Sequence, residues 1–466
     1  MKFLLFGTGD YYQRYKKWFE RGDVLALLDN APEKQNTRID EIKVLSPGEG
    51  VKLPYDVIVI LSFYVREMRS QLMTLGVSAS KVYHFYDLNR LIYRKENKKP
   101  IEYFGGAEKI VASERQTGKK ILLLSHDLTL GGPSIALFHT AEIMVKHGYQ
   151  VVYASMIDGP LRLKLLSSHI PVIVDVNLQI ETMMEADWTG QFSLIIGNTI
   201  NYHVFFSRRN ESIPAVWWLH DASFFYNGVD PEVLRNMSRR NLTVCSVGPI
   251  PKNAIHKFVQ DLPVKDLLYA VEDTEDHAKR KQKLRGNVCF VTIGYVGEIK
   301  GHDILIEAIK NLSAEIRKNA VFCFVGQNSS VMAQNLMHEI GDIPEIVMTG
   351  AVGRDKIHEI LNSADVLICP SREDSMPTVA AEAMMHKVPC ILSDMTGTAE
   401  LIENGRNGLV FPGENVKALT SQIVWCMEHR AELRRMGEKA RRVYEEFFSM
   451  SAFEERLMEM VGECLR

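Results

Sequence analysis

Short, unbroken apolar runs recur along the whole chain, each followed by an amphipathic stretch. They fall at residues 2–6, 57–61, 120–125, 194–197, 215–219, 288–295, 320–325 and 366–369. A strand with one wet face alternates apolar and polar residues, whereas a run that is apolar throughout belongs to a strand covered on both faces. With helical patterns between the runs, this predicts βαβ units and parallel sheets, and so an α/β fold. Apolar residues make up 46% of the 466 residues, enough for several cores and too many for wholesale disorder.

The pattern breaks twice. Over residues 87–116 charge, Pro100 and Gly105-Gly106 replace periodicity, and over 272–286 acids precede a basic run at 279–283. The breaks predict a small unit at 1–90, a linker at 91–117, and larger units at 118–275 and 286–430. Helices over 431–466 are expected to pack back towards the second unit. Lys and Arg number 55 against 58 Asp and Glu, a net charge of −3, which gives no reason to bind nucleic acid. Residues 87–120 hold nine Lys or Arg and five Asp or Glu, an excess expected to support at most weak peripheral membrane contact. No run reaches the roughly 18 apolar residues of a spanning helix, and the first run is too short for a signal peptide. Seven cysteines without a CxxC pair read as reduced core thiols, which favours the cytoplasm.

Three stretches carry chemistry. In the first unit Gly7-Thr8-Gly9-Asp10 follows a strand and Asp29 ends the next apolar run, the start of a dinucleotide fingerprint. Tyr12 replaces the third glycine and Asp10 would repel a pyrophosphate, so the unit reads as a Rossmann-like accessory module without nucleotide, expected to serve scaffolding, acceptor recruitment or assembly, including self-association through 1–90. In the second unit Gly131-Gly132 stands at a strand-to-helix turn, where amides can approach an anion. There, His220-Asp221 ends an apolar strand, and His126-Asp127 repeats the arrangement. In the third unit Gly297 precedes Lys300-Gly301 at another such turn. Further on, Arg372-Glu373-Asp374-Ser375-Met376-Pro377-Thr378 leads into a helix carrying Glu382. Pro377 suits a helix start whose amides form an anion site, and Asp374 and Glu382 flank it.

The Lys300-Gly301 turn, the strand 364–371 ending in Pro370-Ser371, the acids Asp374 and Glu382, and the 388–391 run resemble the family 4 retaining, nucleotide-sugar-dependent glycosyltransferases. The resemblance covers about residues 120–460. It implies a GT-B fold: two facing Rossmann-like domains with a helical tail, here with a small Rossmann-like domain in front. It implies transfer of a sugar from a UDP- or GDP-sugar to the hydroxyl of a sugar, lipid-linked or protein acceptor, in cell-surface polysaccharide or glycoconjugate synthesis. By resemblance Glu382 binds the ribose, and Asp374 with the amides from Ser375 to Thr378 addresses the sugar and distal phosphate. Lys300 binds the diphosphate and His220 lines the reaction centre. Gly131, Gly132, Gly297, Arg372, Glu373, Ser375, Met376, Pro377 and Thr378 are the further donor-site candidates. No cofactor and no metal are implied, because lysine and the helix dipole can replace a metal's charge. Tyr295 stands where the family usually carries arginine, and Asp374 where glutamate is commoner. The rival readings are a catalytically silent partner subunit, a nonhydrolysing nucleotide-sugar epimerase and a nicotinamide enzyme using the first unit.

Overall fold

The protein is described by a computed structural model that covers residues 1–466 apart from 63, 93–97, 114–119, 230, 275–285, 327–335, 337–339 and 341–342. The basic run at 279–283 and parts of the expected linker lie outside the described residues. Every apolar run singled out in the sequence becomes a strand of one of three sheets, because each can satisfy its backbone only by pairing with neighbours inside a core.

The first sheet contains β1 (Phe3–Phe6), β2 (Val24–Leu28), β3 (Arg38–Ile39), β4 (Ile42–Leu45), β5 (Val57–Ile60) and β6 (Val82–His84), ordered β3-β4-β2-β1-β5-β6. All pairs are parallel except the β3–β4 hairpin. The turn after β1 is tight: Gly7 has φ +112°, and a Cβ there would lie 2.6 Å from the Leu61 carbonyl oxygen. Asp29, the acid of the half fingerprint, is already engaged. It accepts from the Thr8 hydroxyl and from Lys34 at 3.3 Å.

The second sheet comprises β7 (Glu102–Phe104), β8 (Lys120–Ser125), β9 (Gln150–Ser155), β10 (Val172–Val174), β11 (Leu194–Asn198), β12 (Ala215–Leu219), β13 (Leu242–Ser246) and β14 (Val264–Asp266). Its order is β14-β13-β12-β11-β8-β9-β10-β7, parallel except where β7 closes the edge against β10. This corrects the linker expected at 91–117. β7 and the helix Ala107–Ala112 belong to the second unit, with Ile101, Tyr103, Ile110 and Val111 packed on its core. The apolar side chains of this stretch are therefore used in packing, with Phe104 beneath Arg162 at 4.3 Å.

The third sheet, all parallel, holds β15 (Val288–Ile293), β16 (Ala320–Val325), β17 (Ile346–Gly350), β18 (Val366–Cys369), β19 (Cys390–Ser393) and β20 (Gly408–Phe411), ordered β17-β16-β15-β18-β19-β20. Helices Val416–Glu428 and Arg430–Val443 complete this unit. The helix Arg430–Val443 passes into one π turn, Tyr444–Phe448, before Ser449 caps the helix Met450–Cys464. That last helix crosses to the second unit: Phe453 stacks on Trp218 at 5.7 Å, and Glu454 pairs with Lys146 at 2.7 Å. Two Rossmann-like units thus face each other with a helical tail across both, and a smaller one stands in front. No helix among the described residues is long and apolar enough to cross a membrane.

Candidate active site

A cleft of about 1190 Å³ runs between the second and third units, and the carboxyl ends of their strands open into it. On the third-unit side the sequence Lys300-Gly301 makes a turn that only glycine permits. Gly301 has φ +65°, and a Cβ there would lie 2.0 Å from the Pro370 carbonyl oxygen. The turn aims the Lys300 ammonium at Asp374, 2.6 Å from Oδ2. Burial opposes the charge on Lys300, but the Asp374 carboxylate outweighs it and holds the amine above its ordinary range. Asp374 is itself held at both backbone ends, its N–H donating to Met395 at 3.1 Å and its carbonyl accepting from Gly397 at 2.9 Å.

Pro377 is the N-cap of the helix Thr378–Met385. The amides of Ser375, Met376, Thr378 and Val379 have no protein acceptor among the described residues, and all four residues line the cleft with Glu373 and Pro377. Free amides at the positive end of a helix dipole form an anion site. Arg354, the first residue of the helix Arg354–Ser363, adds a second cation on this wall and pairs with Glu382 Oε1. Glu382 is 2% exposed and is not among the lining residues. Its Oε2 is buried with no partner among the described residues, and burial raises its pKa while Arg354 opposes.

The second-unit wall begins at the Gly131-Gly132 turn, where a Cβ on Gly132 would lie 3.2 Å from Cγ2 of Thr378. Asp127 shapes that loop, accepting from the Thr129 amide at 3.1 Å and the Ser134 hydroxyl at 2.7 Å. His220 follows β12 directly, its ring 4.4 Å from that of Trp218, and its Nε2 has no protein partner among the described residues. Burial, with some help from His126, holds the imidazole down at about 3, so it is neutral at ordinary pH. Burial pushes the neighbouring Asp221 carboxyl up to about 7, although the Ile200 amide donates to it at 2.6 Å.

Sequence profiles agree with this architecture. One described as glycosyl transferases group 1 matches residues 273–443, and one described as glycosyl-transferase family 4 matches 117–238. By these matches residues 117–238 and 273–443 belong with the glycosyltransferases of family 4 and group 1. A third profile, C2185-like N-terminal, matches residues 1–83. Among curated relatives, Bacillus subtilis spore coat protein SA is 25% identical over 38% of this chain and 48% of its own length. The Bacillus anthracis N-acetyl-alpha-D-glucosaminyl L-malate synthase is 24% identical over 51% of this chain and 65% of its own. The chain thus spans from about half to just under two thirds of these relatives. Anabaena HepE, solved in complex with UDP-glucose, shares the fold with a TM-score of 0.62 at 20% identity, over 74% of this chain and 99% of that one.

Two donor-site expectations are corrected. Arg372 points away from the cleft: its guanidinium grips Asp303 at 2.9 and 2.6 Å and Glu414 at 2.8 Å, which leaves it fixing the loop rather than meeting a phosphate. Gly297 lies behind the Tyr295 ring, 2.6 Å from where its Cβ would be, and Gly294 lines the cleft instead. Tyr295, at the usual arginine position, is 52% exposed with the Lys300 ammonium 5.8 Å from its ring. The sequence reading missed Arg354 as the second cation, and its only signal was an arginine opening a helix just after a strand and a glycine.

A pH test follows from Asp221. A carboxyl whose folded pKa is raised adds stability below its unfolded pKa, and that contribution is lost as pH rises through the folded value. Between about pH 4 and pH 7 the wild-type protein should therefore lose stability relative to Asp221→Asn, by at most about 4 kcal/mol. Urea unfolding of both proteins across that range checks it; a difference independent of pH would show that Asp221 titrates normally.

Proposed function

We propose that the protein transfers a sugar from a UDP- or GDP-sugar to an acceptor hydroxyl with retention at the anomeric carbon, in the cytoplasm, for polysaccharide or glycoconjugate synthesis. One observation carries the reading. Lys300, Arg354 and the free amides of Ser375, Met376, Thr378 and Val379 gather on one wall of a cleft whose other wall presents His220. Such a wall suits a leaving diphosphate, where fixed positive charge and aimed donors act on charge that develops in the transition state. HepE was solved with UDP-glucose on the same fold, which favours this donor class.

In this reading Lys300 and Arg354 hold the phosphates, and the amides from Ser375 to Val379 bind the distal one. The buried Glu382 Oε2 takes a ribose hydroxyl, and Asp374 orients the sugar while keeping Lys300 charged. Neutral His220 Nε2 accepts a hydrogen bond from a sugar hydroxyl at the reaction centre. The attacking hydroxyl gives its proton to the departing phosphate oxygen on the same face, and no resident cofactor is assigned.

Calorimetry against a panel of UDP- and GDP-sugars tests the donor assignment, and NMR of the product released on donor hydrolysis reads the anomeric outcome. Micromolar binding of one sugar nucleotide with retention is expected, and absence of binding to every member would refute the reading. His220→Ala should lower turnover by about tenfold or more with donor affinity little changed. Turnover between pH 6 and 9 should show no ionisation that disappears in this variant.

A further inference from the structure

The first unit was expected to be an accessory module for scaffolding, acceptor recruitment or assembly, and it forms part of the cleft. Tyr11, Arg14, Tyr15 and Phe85 line the cavity together with Gln179 of the second unit. The docking is specific. The buried Tyr15 hydroxyl donates to Gln179 at 2.6 Å, Ile180 and Val204 pack into the first unit's core, and Tyr64 meets Phe224 edge-on at 6.0 Å. All these contacts are with the second unit, the wall opposite the phosphate-binding groups.

Three Lys or Arg side chains line the cleft among the described residues, and two are paired with carboxylates: Lys300 with Asp374 and Arg354 with Glu382. Arg14 has no carboxylate partner among the described residues. It lies instead over an aromatic stack, 5.4 Å from the Tyr11 ring centre. Phe85 stands 4.5 Å from Tyr11 and 5.5 Å from Tyr15. Aromatic faces take the apolar face of a sugar ring, and an arginine fork takes a carboxylate or phosphate in two parallel hydrogen bonds.

We propose that Arg14 and Tyr11, backed by the buried Phe85 and Tyr15, form an acceptor subsite for a sugar bearing an acidic group, so that the first unit sets the choice of acceptor. This rests on the transferase reading above. It gives residues 1–90 a role in specificity that needs no nucleotide of their own, in keeping with an Asp29 already bound by Thr8 and Lys34.

The test measures binding of three sugars to the full chain with the donor site filled by saturating UDP: methyl glucoside, methyl glucuronide and glucose 6-phosphate. At least one acidic sugar should bind about tenfold or more tightly than the neutral one, as one charge-assisted contact allows. Preference for the glucuronide identifies a carboxylate acceptor, and preference for the phosphate ester a phosphorylated one. Arg14→Gln should abolish the preference while UDP affinity and Tm stay unchanged, and Arg14→Lys should keep part of it. If Arg14→Gln fails to fold, Arg14→Met, which keeps an apolar stem on the Tyr11 ring, carries the same expectation. Equal binding of neutral and acidic sugars, or a preference that survives loss of the guanidinium, overturns the proposal. If UDP does not bind, the donor reading fails, and the acidic-over-neutral preference measured without nucleotide still decides this one.

Discussion

Lys300→Ala should lower transfer by about two to three orders of magnitude and leave the fold in place. The ammonium is one preorganised charge at the site assigned to the leaving diphosphate, and removing one such donor typically costs about 3–4 kcal/mol of transition-state stabilisation. Its loss also frees Asp374, whose side chain is 13% exposed, so stability should fall by about 1–2 kcal/mol. The informative comparison is between nucleotides. UDP should bind far more weakly to the variant, while UMP, which lacks the distal phosphate, should lose little. Equal losses for the two would remove Lys300 from the phosphates. Lys300→Arg should restore activity only in part, because a planar fork replaces the point charge that sits 2.6 Å from Asp374.

Glu382 should show two separable effects. Its side chain is 3% exposed and it pairs with an arginine that is 42% exposed, so the pair is buried on one side only. Glu382→Ala removes the buried partner and should cost about 2–4 kcal/mol of stability, more than a solvated helix residue would. Glu382→Gln keeps the volume and should cost less, yet both should weaken UDP by about tenfold, because Arg354 loses the group that holds it over the cleft. A double-mutant cycle with Arg354→Ala separates the routes. If Glu382 acts through Arg354, the double variant should bind UDP no worse than Arg354→Ala; if it also holds the ribose, a further loss remains.

The sheets were legible because strands buried on both faces leave an unmistakable apolar run, and their ends moved little; the run at 288–295 stops at Ile293, where the chain turns towards Lys300. β7 was not legible. Three residues, Glu102–Phe104, carry no periodicity, and an antiparallel edge strand needs no apolar run on both faces. Lys300, Asp374 and the Pro377 helix start could be read because one local segment and one turn encode them. Arg354 and Arg14 could not. Each is an ordinary-looking arginine whose place depends on distant packing, 28 residues from Glu382 in one case and on docking of a separate unit in the other. Arg372 misled for the converse reason. It adjoins the acidic motif in sequence, but Asp303, 69 residues away, determines its direction.

The crossing of the helix Met450–Cys464 has a consequence for how the molecule comes into being on the ribosome. The first and third units are each built from one contiguous stretch of chain. The second is not, because Phe453, Leu457, Met460 and Val461 belong to the same core as Trp218 and Cys245. During synthesis the eight-stranded sheet must therefore wait, with Trp218 lacking its cover, while the whole third unit is made. Its last piece arrives some two hundred residues after its last strand, β14. The cleft, which needs both larger units, is then expected to be completed only after the last helix has been made. Early termination before residue 450 would leave a nascent chain with its phosphate-binding half finished and its partner half open to proteases and chaperones.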